Sequence, residues 1–203
     1  MKNNWSDIEA KKYIRKYIKL GHSKDMALRV YTTRLLGRNK ELVLHGGGNT
    51  SVKIKTKDID GKIYDVLCVK GSGWDMAEIE PQGLPAVKLN PLLSFKNKKY
   101  LSDDDMVSFQ KRNLINSKSP NPSVETFLHA FLPHKFVDHT HSDAIMNLTN
   151  RSNGIELCKK TFGTKVGIVP YVMPGFALAV KINEVLKKNK NINCLILLNH
   201  GIF

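Results

Sequence analysis

The first third of the chain shows two different periods of apolar and polar residues. Over residues 7–20 and 24–36, apolar side chains recur every three or four positions, and a glycine follows each run. This spacing predicts two amphipathic helices. Residues 41–44 are short and apolar, whereas residues 51–55 alternate strictly. With the glycines between them, they predict a strand, a turn and a second strand.

The same two patterns interleave through the rest of the chain. Helix and loop are predicted over residues 85–120, with a helix starting after Ser102, where three aspartates favour the helix dipole. Further strands are predicted at 64–69, 135–141, 166–172 and 194–198, and further helices at 123–131 and 176–187. Ser123 is the expected N-cap of the helix at 123–131. We therefore expect one α/β domain over residues 1–203. Because the chain ends directly after an apolar strand and a histidine, we expect this domain to be incomplete at its C-terminus.

Composition excludes several classes of protein. The formal net charge is +14, but the lysines lie in short separate groups without a nucleic-acid motif, which predicts a solvated surface. The chain lacks a signal peptide and an apolar run of roughly 20 residues, so we expect a cytoplasmic protein without nucleic-acid or membrane partners. The cysteines form no CxxC pair, which argues against both a disulfide framework and a thiolate zinc site.

The clearest local chemical signal is a pair of histidines, His139 and His141. Residues two apart on a strand share one face, so both imidazoles could bind one metal ion. A catalytic zinc site usually has three protein ligands, and His200, after a predicted buried strand, is a candidate third. A simple hydrogen-bonded histidine pair is the alternative. A surface or packing role is expected for the remaining histidines, which are His22, His45, His129 and His134.

A carboxylate and two glycine-rich turns complete the candidate chemistry. Glu125, on the helix predicted at 123–131, could act as a general base beside a metal. Alternatively, it is a solvent-exposed helical glutamate that pairs with His129 one turn later. The turns HGGGNTS at 45–51 and KGSGW at 70–74 could bind an anion through backbone amides, or could be plain hairpins.

Six ordered segments together resemble the class II aldolase/adducin family. The resemblance is closest to the N-terminal aldolase portion of bifunctional rhamnulose-1-phosphate aldolase/short-chain dehydrogenase proteins, and it covers nearly the whole chain. The segments are HGGGNTSVK at 45–53, KGSGWD at 70–75, PSVETFLHAFLP at 122–133, KFVDHTHSDAI at 135–145, VPYVMPGF at 169–176 and LLNHGIF at 197–203.

This resemblance implies a three-layer α/β/α fold around a largely antiparallel sheet. It further implies one zinc ion per subunit, held by His139, His141 and His200, and Glu125 as the acid-base residue. The reaction would be reversible cleavage of a ketose 1-phosphate, such as rhamnulose 1-phosphate, into dihydroxyacetone phosphate and an aldehyde. The residues implied for binding the substrate phosphate are Asn49, Ser72, Gly73 and Ser123.

The resemblance also leaves alternatives open. Some members of the family have a second serine directly before the glutamate, whereas this chain has Val124, so one phosphate ligand is expected to be missing. The complete protein is expected to be a homo-oligomer, a tetramer as in related aldolases. A sugar-phosphate 4-epimerase and a non-catalytic, adducin-like scaffold are the competing functions, and the sugar itself is not specified.

Overall fold

The computed structural model describes residues 3–189 and 191–203, in which helices and strands alternate along the chain. The strands are β1 (Asn49–Lys57), β2 (Ile63–Val69), β3 (Ala86–Lys88), β4 (Phe136–His139), β5 (Gly167–Val169), β6 (Leu195–Leu197) and β7 (Gly201–Ile202). The helices are α1 (Asp7–Lys19), α2 (Lys24–Gly37), α3 (Leu89–Leu93), α4 (Asp103–Arg112), α5 (Thr126–Phe131), α6 (Asp143–Thr149), α7 (Gly154–Phe162) and α8 (Phe176–Lys188), and Pro81–Gly83 form a 3₁₀ turn. No helix in these ranges is both long and apolar enough to cross a bilayer.

The strands form two sheets that meet at one point. The first is antiparallel, in the order β3-β2-β1-β4, and the second has the order β5-β6-β7. Thr140 and Ile202 exchange backbone hydrogen bonds of 3.1 and 3.0 Å, which join β4 to β7. Of the strand pairs, β5 and β6 run parallel and the others antiparallel. The largely antiparallel sheet is therefore confirmed.

Alternation along the strands separates the helices into two layers. In β2, Cys68 packs in a cluster with residues of α1 and α2, whereas Leu67 and Val69 pack in a second cluster with residues of α5 and α8. A third cluster joins Ile196 of β6 to α6 and α7. Because successive side chains of a strand point to opposite faces, each sheet face is apolar and needs its own layer of helices. The result is the expected three-layer arrangement.

Serine caps explain why three of the helices begin where the sequence predicts. The side chains of Ser6, Ser23 and Ser102 accept hydrogen bonds from the backbone N–H of the third residue of α1, α2 and α4, respectively. These bonds satisfy amides that have no partner within the helix. Acidic residues in the first turn of each helix add a favourable interaction with the helix dipole.

Two local predictions are wrong, and both affect the site. Residues 41–44 form turns instead of a strand, because their backbone folds back onto Asn39. The helix predicted at 123–131 begins only at Thr126, so Ser123 is not its N-cap and Glu125 lies in the turn before it. The hydroxyl of Ser123 instead accepts a hydrogen bond from the backbone N–H of Glu125, at 3.2 Å.

Candidate metal and acid-base site

Three imidazoles converge where β4 and β7 meet. The nearest nitrogens of His139, His141 and His200 all lie within 4.8 Å of one another. The Nε2 atoms of His139 and His141 are 3.0 Å apart, so the two side chains share one face as their spacing predicts. The structure thus brings together the three histidines that the sequence singles out.

The fold fixes the backbones of His141 and His200 by different means. The N–H of His141 donates to the carbonyl of Leu42, at 3.1 Å, so the turn that replaces the predicted strand supports this histidine. His200 lies in the turn between β6 and β7, where Asn199 adopts a left-handed φ of 56°. Gly201 allows β7 to approach β4 closely, because a Cβ atom there would lie 2.4 Å from the carbonyl oxygen of Thr140.

Hydrogen bonding and burial leave nitrogen lone pairs facing the cluster. Nδ1 of His139 is 3.0 Å from the carbonyl oxygen of Ile202. Since a carbonyl oxygen can only accept a hydrogen bond, Nδ1 carries the proton of the neutral ring, and Nε2 carries a lone pair. Burial lowers the pKa of His139 to about 3 and that of His200 to about 4, and it also lowers the pKa of His141. Neutral imidazole is the form that binds metals.

Glu125 lies beside two of these imidazoles. Its Oε2 is 3.6 Å from Nε2 of His139, and its Oε1 is 3.6 Å from Nε2 of His200. The residue is 4% exposed, so the solvent-exposed alternative is wrong. Burial raises the pKa of the carboxyl group, although the hydrogen bond from Nδ2 of Asn49 to Oε2, at 2.6 Å, opposes this increase.

The donor set fits a divalent transition metal. Three neutral imidazoles supply nitrogen ligands of the kind that zinc prefers in catalytic sites, with a position left for substrate. Among the described residues, four buried side-chain atoms lack a hydrogen-bond partner, and two of them, Oε1 of Glu125 and Nδ1 of His200, belong to this site. Such unpaired atoms are unusual in a packed interior, and they are typical of a site that binds a ligand or an ion.

Two of the four candidate phosphate-binding residues touch Glu125 or each other. Nδ2 of Asn49 donates to Oγ of Ser123 at 3.1 Å as well as to Glu125. Ser72 and Gly73 lie in the turn after β2, where the N–H of Ser72 donates to the carbonyl of Asn121 at 2.8 Å. The side of Gly73 where a Cβ would stand faces open space. This turn therefore runs beside the segment that carries Ser123.

Sequence reasoning missed two buried groups behind the site. His129 is fully buried and contacts the side chains of both Asn49 and Ser51. Arg29 is 1% exposed, pairs with Asp138 and donates to backbone carbonyls of β1 and β4 at 3.1 and 3.3 Å. The sequence signals that could have indicated His129 and its partners were spacings. His129 follows Glu125 by one helical turn, and Ser51 follows Asn49 by two strand positions.

Comparison with known proteins finds a matching family and a relative in Bacillus subtilis. The sequence profile of the family described as "Class II Aldolase and Adducin N-terminal domain" matches residues 27–203. A Bacillus subtilis (strain 168) protein named "Uncharacterized oxidoreductase YuxG" is 38% identical over 173 residues, which is 85% of this chain but only 25% of that protein. This chain therefore spans about a quarter of the length of the curated relative that it matches.

Solved structures show the same fold. The N-terminal class II aldolase domain of a conserved protein from Thermoplasma acidophilum has a TM-score of 0.85 and 38% identity, covering 100% of this chain and 87% of that one. An L-fuculose-1-phosphate aldolase from Thermus thermophilus has a TM-score of 0.50 and 18% identity, covering 86% of this chain and 78% of that one. The second similarity concerns the fold alone.

Proposed function

Because the chain belongs to the class II aldolase and adducin N-terminal domain family, we propose that it is a zinc-dependent aldolase that cleaves a ketose 1-phosphate into dihydroxyacetone phosphate and an aldehyde. The observation that carries the proposal is the position of Glu125. Its two carboxylate oxygens each lie 3.6 Å from a different imidazole of the three-histidine cluster. A buried base beside a metal-binding cluster suits metal-assisted retro-aldol chemistry, which needs both proton transfer and stabilisation of negative charge.

In this mechanism, His139, His141 and His200 would hold the zinc ion. A bound zinc ion would supply Lewis-acid stabilisation of the negative charge that develops on the substrate oxygens during cleavage. Glu125 would accept the proton of the substrate hydroxyl group that becomes the aldehyde and return it to the carbon that loses its carbon–carbon bond. Asn49 keeps Oε2 of that carboxylate in place, and burial of Glu125 excludes competing water from its oxygens.

The turns beside the site would bind the substrate phosphate. Ser72, Gly73 and Ser123 offer two hydroxyls and an unhindered backbone, which suit a phosphate group. Asn49 would contribute through the same amide that contacts Ser123 and Glu125, by exchanging its bond to Ser123 for one to the phosphate, so phosphate binding and carboxylate position would be coupled. Val124, 47% exposed, has no hydroxyl to contribute. Together with membership of the class II aldolase family, these turns support a phosphorylated sugar as the substrate class.

The test combines metal analysis with turnover of rhamnulose 1-phosphate, followed by the release of dihydroxyacetone phosphate. Glu125→Gln should lower kcat by about 10²–10⁴-fold with metal content nearly unchanged, because it removes the base and keeps the shape. His141→Ala should lose both metal and turnover. The matched control is Glu156→Gln, because Glu156 is an exposed glutamate of α7.

The outcomes separate the competing functions. Full turnover by metal-loaded Glu125→Gln would show that Glu125 is not the base. An epimerised ketose phosphate without free dihydroxyacetone phosphate would identify a 4-epimerase. Metal binding without any turnover of sugar phosphates would support the adducin-like scaffold. We also infer that the complete protein assembles into a homo-oligomer, a tetramer, and light scattering of the complete protein that shows only monomers would contradict this inference.

A further inference from the structure

A chain of buried hydrogen bonds leads from Glu125 into the protein interior. Nδ2 of Asn49 donates to Oε2 of Glu125 at 2.6 Å, and Oδ1 of the same amide contacts Nε2 of His129. On its other side, Nδ1 of His129 lies 2.8 Å from Oγ of Ser51. Asn49 is 6% exposed, and His129 and Ser51 are fully buried. Bulk water therefore cannot replace any of these contacts.

The chemistry of the partners sets the direction of every bond. Oδ1 of Asn49 can only accept, so Nε2 of His129 must carry a hydrogen. Burial lowers the pKa of His129 well below its usual range, so the ring is neutral and Nδ1 has a lone pair. The hydroxyl of Ser51 then donates to Nδ1. Only this tautomer of His129 directs the NH₂ group of Asn49, instead of its oxygen, toward the Glu125 carboxylate.

Local geometry brings the members of the chain together. Asn49 and Ser51 are two positions apart on β1 and share a face, as strand periodicity requires. His129 lies one helical turn after Glu125 in α5, and its backbone N–H donates to the Glu125 carbonyl at 3.1 Å. An N-x-S pair on a strand thus meets an E-x-x-x-H pair at the start of a helix.

We propose that His129 is a positioning residue that orients the Asn49 amide, and through it the Glu125 carboxylate, with Ser51 fixing its tautomer. This inference rests on the proposed function, in which Glu125 transfers a proton. Without the His129 donor, only the contact with Ser123 still orients the Asn49 amide. The amide can then rotate, and Glu125 loses its only side-chain hydrogen-bond donor among the described residues. A shift of about 1 Å in a catalytic group can lower the rate by about 10²-fold.

The experiment compares His129→Leu with His129→Gln. Leucine is similar in size to histidine but cannot donate, whereas the glutamine amide can reach toward Oδ1 of Asn49. The side-chain amide resonance of Asn49 is followed by ¹⁵N NMR and assigned by its loss in Asn49→Ala. His129→Leu should shift this resonance and lower kcat about 10²-fold at unchanged metal content. His129→Gln should recover most of the turnover and the original resonance position.

Other outcomes overturn the inference. An unchanged Asn49 resonance in His129→Leu would show that His129 does not orient the amide, and a shifted resonance with normal kcat would show that the orientation is irrelevant to catalysis. If both variants lose turnover equally, His129 acts through packing. Ser51→Ala, which leaves the Asn49 contact in place, should give a smaller shift in the same direction, and no shift would refute the role of Ser51. The resonance does not depend on turnover, so a wild-type protein without aldolase activity would refute the proposed function and leave the orientation testable.

Discussion

Removing the charge of Glu125 should stabilise the metal-free protein. The carboxyl group is 4% exposed, and its Oε1 has no hydrogen-bond partner among the described residues. In Glu125→Gln, the new NH₂ group would stand near Nε2 of His200, which is 3.6 Å from the present Oε1. The substitution therefore replaces an unpaired buried charge by a neutral amide with an acceptor within reach.

The expected magnitude follows from the unpaired oxygen. A buried polar atom without a partner costs about 1–3 kcal/mol, so the free energy of unfolding of Glu125→Gln should exceed that of the wild type by about that amount. In a domain of this size, each 1 kcal/mol raises Tm by about 2–4 °C.

The pH dependence has a definite sign. Burial raises the pKa of Glu125 above its ordinary value of 4.5, so the folded state binds this proton more tightly than the unfolded state. The wild type therefore loses stability as pH rises from 4.5 through the folded pKa. The advantage of Glu125→Gln should be largest above that window. It should shrink below pH 4.5, where the acid is neutral in both states.

Urea unfolding followed by circular dichroism, after treatment with a chelator, measures these free energies. Glu78→Gln is the matched control, because Glu78 is exposed and its substitution should change stability by less than about 0.5 kcal/mol. A Glu125→Gln variant that is no more stable than the wild type at neutral pH would refute the reasoning. It would show that the buried carboxylate has found a partner or is already protonated.

Three further predictions concern the metal, the strand junction and the phosphate. Zinc at about 100 times its dissociation constant should stabilise the metal-free protein by roughly 2.7 kcal/mol, and calorimetry should show that His141→Ala abolishes this gain. Gly201→Ala should lower the free energy of unfolding by about 1–3 kcal/mol and weaken zinc binding, because the new Cβ would stand 2.4 Å from the carbonyl oxygen of Thr140. An unchanged melting curve and an unchanged metal titration would contradict this prediction. Ser72→Ala should raise KM for the ketose phosphate about tenfold through the loss of a charge-assisted hydrogen bond, whereas an unchanged KM would remove Ser72 from the phosphate site.

The sequence predicted what short-range patterns determine. The bounds of α1 and α2 agree with the prediction to within one residue, because serine caps and apolar spacing act within a few positions. The shared face of His139 and His141 follows from strand periodicity in the same way. Residues 41–44 are apolar enough for a strand, but their backbone pairs instead with the segment around His141, which no local pattern reveals.

The burial of Glu125 and His129 also could not be predicted from local sequence patterns. The spacing of Glu125 and His129 suits an exposed helical ion pair as well as a buried site. The choice depends on Asn49, 76 residues before Glu125 and 80 before His129, which hydrogen bonds to both side chains. Only the packing of α5 against the sheet, which includes contacts with β2, makes both residues inaccessible to water. Tertiary contacts therefore decided the role of His129, and the sequence pattern did not.

Completion of the candidate metal site depends on the pairing of β4 with β7. His139 ends β4, and its Nδ1–H donates to the carbonyl of Ile202, 63 residues later. The bonds between Thr140 and Ile202 place β7 beside β4, and His200 directly precedes β7. If β7 separates from β4, His139 loses the acceptor that fixes its tautomer, and the cluster loses His200. A metal bound by all three histidines therefore binds only the paired state, so it must stabilise the junction between the two sheets by a free energy that grows with the logarithm of its affinity.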